Sequence, residues 1–236
     1  MPKTDLNFHA GHRERLRQKF LANEDMPQYE LLELLLTYAI PRIDVRMPSR
    51  ALMNKYNAIL NVISTPMEEL QKIPGIGRNA AILMKVVAKI TKMQYVQEMK
   101  ETSIFTDDQT IANYCKMILG KKTIEELHIL YLDPNGRLLE DQTHSIGAID
   151  RANIFTTEIA RHALLLRASH VVMTHNHPRH SDTLSDPDIE ATRQLDIVLK
   201  TLDMRVYDHI LVAGGKAVSA RATGALEQIL NPTHKL

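Results

Sequence analysis

Residues 168–178 read ASHVVMTHNHP, an apolar run that ends in two histidines and a proline. The β-branched, apolar start of this run predicts a short buried strand. Alternate side chains of a strand share one face, so we expect His175 and His177 to project together while Asn176 points away from them. Pro178 ends the strand because it has no N–H group to donate to a sheet.

A hydroxyl and a carboxylate follow the histidine pair, at Ser185 and Asp188. Two neutral imidazoles and one carboxylate, with a fourth position open to water, are the usual composition of a hydrolytic zinc site, so these spacings suit one divalent metal. The segment from Ser185 to Asp188 also has the pattern of a helix N-cap with an acidic first turn, which requires no metal. The two roles are compatible, because a cap would hold Asp188 toward the end of the strand.

The composition is that of an ordinary folded protein: 236 residues, 44% hydrophobic and 24% charged, with a formal net charge of +1. The single cysteine, Cys115, excludes an intramolecular disulfide and a cysteine-rich zinc cage, and its helical setting predicts a buried thiol. No apolar run approaches the roughly 18 residues of a membrane span, and no apolar signal-peptide core is present. We therefore expect a cytoplasmic protein without membrane contact. An aromatic share of 5% without tryptophan argues against a large stacking platform for single-stranded nucleic acid.

Hydrophobic periodicity divides the chain into two parts. Residues 12–95 have helical periodicity only, the pattern then lapses, and strand-like alternation with turn signals follows. We therefore predict a helical domain at residues 1–97, a linker at 98–107 and an α/β domain at 108–236. Up to residue 95 the chain has 14 Lys and Arg against 9 Asp and Glu, a weakly basic balance that is compatible with nucleic acid.

Residues 70–83, LQKIPGIGRNAAIL, resemble a helix-hairpin-helix motif, in which a Pro-Gly-Ile-Gly turn joins two short helices. In such a motif Gly75 and Gly77 let the backbone approach a phosphate, and Ile76 fills the interface between the helices. N–H groups at the start of the second helix receive the phosphate charge. The resemblance predicts a sequence-independent, salt-dependent contact with the DNA backbone.

Arg78 and Lys85 are the side chains that would strengthen this contact. The alternative is that the two glycines only make a tight turn between helices, with no ligand. Such motifs usually act in pairs, and the second candidate turn, at residues 39–44, contains no glycine. Its composition argues against tight DNA binding by this domain alone.

The spacing from histidine to aspartate has a specific form. Seven residues separate His177 from Ser185, two separate Ser185 from Asp188, and glutamates lie upstream. This order, Glu, then His-x-His-Pro, then Ser-x-x-Asp, resembles the JAMM (MPN-type) metalloprotease motif.

The wider chain, over about residues 11–228, resembles the bacterial RadC family. The segments that carry the resemblance are IPGIG, ILYLD, THNHP and DHILV, which begin at residues 73, 129, 174 and 208. The resemblance implies an all-α helix-hairpin-helix domain followed by a three-layer α/β JAMM/MPN domain with a cytidine-deaminase-like fold.

The resemblance implies that His175, His177 and Asp188 are the ligands of one Zn²⁺ per chain. Zinc in such a site lowers the pKa of its bound water to about 7 and polarises a carbonyl group. Ser185 would lie close enough to donate a hydrogen bond to the developing oxyanion or to orient the water. The implied activity is a zinc-dependent hydrolase, in which a zinc-bound water attacks an amide or isopeptide bond of a protein or peptide.

A carboxylate that does not bind the metal must take the proton of the water and pass it to the leaving amine. The resemblance implies Glu125 for this role, because Glu125 stands eight residues before Asp133, where the family's strand-entry glutamate falls. Glu126 is the competing choice.

Other functions stay open at this point. The helix-hairpin-helix pattern suggests a metal-dependent nuclease or a non-catalytic DNA-associated repair or recombination factor, and a JAMM-like fold can also serve association alone. Residues 179–184, RHSDTL, depart from the Ser-Gly-Asp-Pro-like loop that is general in the family. This loop puts a cation and a further imidazole beside the predicted metal, so it bears on the choice of substrate and on activity.

Overall fold

The computed structural model describes residues 5–41, 43–146, 152–178 and 182–231. The chain divides into two compact units, Met1–Ile90 and Thr91–Leu236. Among the described residues, no helix is both long enough and apolar enough to cross a membrane.

The first unit contains helices and no strand among its described residues, as the periodicity predicts. They are α1 (Asp5–Leu21), α2 (Gln28–Ala39), α3 (Arg46–Tyr56), α4 (Ile59–Ser64), α5 (Met67–Leu70) and the first part of α6 (Arg78–Glu101). The apolar face of α2 lies at the centre of this unit. Leu32 and Leu36 of α2 are fully buried in one core with Leu52 and Leu70.

The Pro-Gly-Ile-Gly sequence forms the turn between α5 and α6. Gly75 has a φ of +89°, a left-handed conformation that favours glycine. Ile76 is buried in the core of this unit, with 4% of its surface exposed. The Lys85 ammonium group donates to the carbonyl oxygens of Ile63 at 2.9 Å and Thr65 at 3.0 Å, at the end of α4. Lys85 therefore stabilises a helix terminus.

Helix α6 continues through Glu101, so the division between the two units falls within this helix. The first residues of the predicted linker, 98–101, accordingly belong to its last turn. Met99 and Ile104 account for this, because both are buried with Tyr114 in an apolar core of the second unit. Two residues of the predicted linker, Met99 and Ile104, thus pack in the second unit.

The second unit is a mixed α/β arrangement. Its elements after α6 are α7 (Asp108–Leu119), β1 (Glu126–Leu132), β2 (Leu138–Ile146), α8 (Ala152–Leu166), β3 (His170–Asn176), α9 (Asp186–Lys200), β4 (Arg205–Ala213), β5 (Lys216–Ser219) and α10 (Ala225–Leu230). The strands form one sheet in the order β2-β1-β3-β4-β5. Strands β3 and β4 are parallel, and the other described pairs are antiparallel. Strand β3, which carries the histidine segment, lies in the middle of the sheet.

The hairpin of β1 and β2 forms at the turn Asp-Pro-Asn-Gly of residues 133–136. Asp133 Oδ1 accepts hydrogen bonds from the N–H groups of Asn135 and Arg137, both at 2.8 Å. Gly136 has a φ of +78°, and a Cβ at this position would lie 2.7 Å from the ring of Phe105. The backbone conformation and the packed ring therefore both require glycine.

Helices cover both faces of the sheet. On one face, Ile129 and Tyr131 of β1 lie in a core with residues of α8 and α9. On the other face, Leu130 and Leu132 lie in a core with residues of α7. All four side chains are fully buried, so β1 is apolar on both sides. These layers agree with the α/β arrangement expected for the second part of the chain.

Cys115 lies on α7 and is fully buried, as its helical setting predicts. Burial raises the pKa of its thiol to about 12. The thiol is therefore protonated at neutral pH and packs as a small apolar side chain.

Candidate metal centre

The two histidines of the THNHP segment meet at the end of β3. His175 is fully buried within the strand, and His177 follows directly after it with 15% of its side chain exposed. Their Nε2 atoms are 3.0 Å apart. The alternation of a strand thus brings the two imidazoles together.

The start of α9 adds a carboxylate to this pair. Asp188 places Oδ1 3.4 Å from His175 Nε2 and Oδ2 3.4 Å from His177 Nε2. Ser185 is the N-cap of α9, and its hydroxyl and N–H donate to Asp188 Oδ2 at 2.5 Å and 2.8 Å. The capping box and the predicted ligand set therefore share one carboxylate, that of Asp188, which the box holds toward the strand end.

A second carboxylate, that of Glu125, comes from the residue before β1. One donor atom from each of Glu125, His175, His177 and Asp188 lies within 4.8 Å of the others. Glu126 is instead engaged with Lys122 Nζ at 2.8 Å and lies 3.7 Å from His128 Nε2. Of the two competing glutamates, the structure brings Glu125 to the site.

Asn176, between the two histidines, holds the segment that carries Glu125. Its Oδ1 accepts from the N–H of Glu126 at 2.9 Å, and its Nδ2 donates to the carbonyl of Ile124 at 3.1 Å. Asn176 is 2% exposed, so these bonds are shielded from water. Residues on both sides of Glu125 are thus tied to the strand of the histidines. We did not predict this role of Asn176 from the sequence. The signal for it in the sequence is an amide residue between the two histidines.

A relay of hydrogen bonds runs behind His175. His175 Nδ1 lies 2.8 Å from His209 Nε2, and His209 Nδ1 lies 2.6 Å from Thr192 Oγ1. The Thr192 hydroxyl donates to the carbonyl oxygen of Asp188 at 2.6 Å. His209 and Thr192 are 1% and 0% exposed. The relay therefore connects two of the predicted ligands through buried groups.

The carbonyl oxygen of Asp188 at the end of the relay determines which atom donates in each hydrogen bond of the relay. A carbonyl can only accept, so the single proton of the Thr192 hydroxyl goes to Asp188. Thr192 must then accept from Nδ1–H of His209, and neutral His209 must accept at Nε2 from Nδ1–H of His175. When His175 is neutral, its Nε2 atom therefore carries the lone pair and faces His177 and Asp188. This tautomer is the one that a metal requires at Nε2.

Burial and neighbouring groups shift the pKa values of His209 and Asp188. Complete burial, with the nearby imidazole of His175, holds the pKa of His209 well below its usual value, so His209 is neutral. Burial opposes ionisation of Asp188, but the hydrogen bond and charge that His175 supplies when its Nε2 is protonated, together with the hydrogen bonds of Ser185, outweigh it. The pKa of Asp188 is accordingly lowered. The site thus combines two imidazoles with an ionised carboxylate.

The size of the donor set fits a small tetrahedral ion. Zinc bonds of about 2.0–2.1 Å to nitrogen and oxygen put the ligand atoms of a tetrahedron about 3.3 Å apart. The three separations among His175, His177 and Asp188 are 3.0, 3.4 and 3.4 Å. Nitrogen and carboxylate donors in this number are those of hydrolytic zinc sites, which leave one position open.

Ser185 and Asp208 both have hydrogen-bond partners of their own. The Ser185 hydroxyl donates to Asp188, so it would have to leave that bond before donating to an oxyanion. Asp208, which precedes His209 on β4, accepts from Ser219 Oγ at 2.5 Å and from the N–H of Arg221 at 2.9 Å. It is the neighbouring His209 that contacts His175. Residues 179–181 of the atypical loop lie outside the described part of the chain.

The residues predicted to contact DNA lie in the first unit. Gly75, Gly77 and Arg78 line an open cavity of about 510 Å³, and Pro41 from the glycine-free turn lines it too. The two candidate turns are therefore neighbours. The side chain of Ile76 is buried in the core, which leaves its backbone, not its side chain, as a possible contact.

Comparison with known proteins agrees with these features. Residues 105–225 match the family model described as RadC-like JAB domain, and this range contains the whole donor group. A UPF0758 protein of Fusobacterium nucleatum subsp. nucleatum is 32% identical over 211 residues, which cover 86% of this chain and 91% of the relative.

Proposed function

Because the chain belongs to the family of RadC-like JAB domains, which are metal-dependent hydrolase-type domains, we propose that it is a zinc-dependent hydrolase of amide or isopeptide bonds. JAB-type domains bind a metal, and the choice of zinc rests on the donors present here. The observation that carries the proposal is the buried group of His175, His177 and Asp188 with Glu125 beside it.

Each residue of the group has a distinct part in this proposal. His175, His177 and Asp188 would hold the ion, and Ser185 would keep Asp188 oriented. Bound zinc supplies a Lewis acid that polarises a carbonyl group and makes water more acidic. The Glu125 carboxylate would accept the proton of the attacking water and deliver it to the leaving nitrogen.

Two adjacent glutamates provide a matched test of the catalytic part. Glu125→Gln should retain about one zinc per chain and lose about 10²- to 10⁴-fold in cleavage of a peptide library. Glu126→Gln should stay close to wild type, because Glu126 bonds Lys122 away from the donor group. Peptide cleavage that Glu125→Gln leaves unchanged would remove Glu125 from this role.

The metal part is tested separately by zinc analysis of the purified protein. The double variant His175→Ala, His177→Ala should contain no zinc. Native protein that binds no divalent metal would contradict the proposal. Cleavage of branched or single-stranded DNA without peptide cleavage would favour the metal-dependent nuclease instead.

A second candidate function, association with the DNA backbone, is favoured by the cavity between the two turns. Gly75 and Gly77 leave it open to a phosphate, and Arg78 at the start of α6 adds a positive charge. Binding of duplex DNA should weaken as salt rises, and Arg78→Ala should reduce the slope of log K against log salt by about 0.9. Arg15→Ala, an exposed arginine of α1 that does not line this cavity, is the matched control. Wild-type binding with no salt dependence would show that the turn is purely structural.

A further inference from the structure

An apolar cavity of about 480 Å³ lies in the second unit between the sheet, the start of α9 and α10. Leu211 and Val218 line it from β4 and β5, Leu184 and Ile189 from either side of the α9 cap, and Ile229 from α10. Its volume is in the range of about 300–1,000 Å³ that small-molecule pockets have.

This cavity begins beside the donor group. His175 pairs with Leu211, and Leu211 pairs with Val218, so the three residues form a row across neighbouring strands on one face of the sheet. Neighbouring strands are about 4.8 Å apart, which puts the cavity wall roughly one to two strand spacings from His175. On the helix side, Leu184 precedes Ser185 and Ile189 follows Asp188. Both walls therefore continue directly from elements that position the metal donors.

The lining chemistry selects among possible occupants. Besides the apolar residues, the described lining has two threonines, Gln228 and one carboxylate, Asp182, and it includes no lysine or arginine. Along the described lining, a phosphodiester backbone would meet no cation and would face that carboxylate. An apolar side chain would instead gain from burial against Leu211, Val218 and Ile229.

We propose that this cavity is a specificity pocket that receives a large aliphatic or aromatic side chain of the substrate, next to the scissile bond. The proposal rests on the hydrolase function above and narrows its substrates to peptides with an apolar residue beside the cleaved amide. It also disfavours a nucleic acid as the molecule that is cleaved at this site.

Hydroxamates that differ in one arm separate the pocket from the metal. Acetohydroxamate reports zinc alone, whereas 4-methylpentanohydroxamate adds an apolar arm. On zinc-loaded protein, binding of the second compound should be about 10- to 100-fold tighter, the gain of burying a leucine-like group. Cleavage of a peptide library should show the same preference for apolar residues at one position beside the cut.

Variants of the lining test whether the gain comes from this cavity. Val218→Asp puts a charge on the wall and Ala225→Phe fills the space, so in each the longer hydroxamate should lose its advantage while acetohydroxamate binds as before. Lys216→Asp introduces the same carboxylate on an exposed residue of β5 outside the lining and should change neither affinity. Two different variants guard against a single substitution that disturbs folding.

The possible failures are distinguishable. If acetohydroxamate binds but the apolar arm adds no affinity, or adds the same affinity in both lining variants, the pocket is overturned and the hydrolase proposal survives. If neither hydroxamate binds zinc-loaded protein, the metal centre fails and the pocket falls with it.

Discussion

Replacing Thr192 with valine removes one hydroxyl and almost no volume, yet we expect it to weaken zinc binding at a centre to which Thr192 contributes no ligand. The hydroxyl accepts from His209 Nδ1 and donates to the carbonyl of Asp188, each at 2.6 Å. Through His209 it fixes the tautomer of His175, whose Nδ1 lies 2.8 Å from His209 Nε2.

The size of the effect follows from the buried N–H group that valine leaves without a partner. An unsatisfied buried donor costs about 1–3 kcal/mol. The metal-free variant relieves this cost by moving the proton of His209 to Nε2, and His175 then carries its own proton on Nε2, where the metal must bind. Zinc binding has to reverse both changes. We therefore expect zinc affinity to fall about 10- to 100-fold.

The measurement is a zinc competition titration against a chromophoric chelator, made on wild type, Thr192→Val and Thr192→Ser. Serine keeps the hydroxyl and should bind zinc within about threefold of wild type, since its rotamer is less restricted than that of threonine. Urea unfolding of the metal-free proteins separates a general loss of stability from a loss of affinity. Nitrogen chemical shifts of His175 report its tautomer directly.

A Thr192→Val protein that binds zinc as tightly as wild type would refute this role of the hydroxyl. Equal weakening by serine and valine would refute it too, because the hydroxyl would then have no part in the effect. A valine variant that is less stable but has unchanged zinc affinity would make Thr192 a purely structural residue.

Two further predictions concern hydrogen bonds elsewhere in the second unit. Asn176→Ala should speed hydrogen exchange of the Glu126 amide and leave zinc affinity within about twofold of wild type. It should lower peptide cleavage about tenfold or more, because Glu125 is no longer held in place. If Asn176→Ala caused the same loss of cleavage in a Glu125→Gln background, this explanation would be wrong. Burial alone would raise the pKa of Asp141, but the hydrogen bond from His128 and other contacts outweigh burial and lower this pKa to about 2. Stability from this carboxylate is thus present above its unfolded pKa near about 3.9 and is lost as pH falls toward about 2. Asp141→Asn should cost about 2–3 kcal/mol in urea unfolding at pH about 6 and less at about 3, and a cost independent of pH would exclude this origin.

Local chemistry accounts for the parts of the fold that the sequence predicts well. The hairpin follows from Asp133 and Gly136, because a side-chain acceptor and a positive φ act within four residues. The cap of α9 follows in the same way from Ser185 and Asp188. The end of α6 could not be predicted from sequence, because Met99 owes its place to burial in a core formed with distant residues.

The candidate site likewise has features that local sequence determines and features that depend on distant residues. The pattern of residues 174–188 by itself determined the chemical types of the donors and brought His175 and His177 to one side, since alternation along a strand needs no distant partner. The choice of Glu125 over Glu126, the anchoring by Asn176 and the relay through His209 were decided by the tertiary structure. Their partners are 17 to 52 residues away in sequence. Only the pairing of β1, β3 and β4, with α9 packed beside them, sets which donor meets which acceptor, because hydrogen bonds depend on distances of about 3 Å that sequence spacing does not fix.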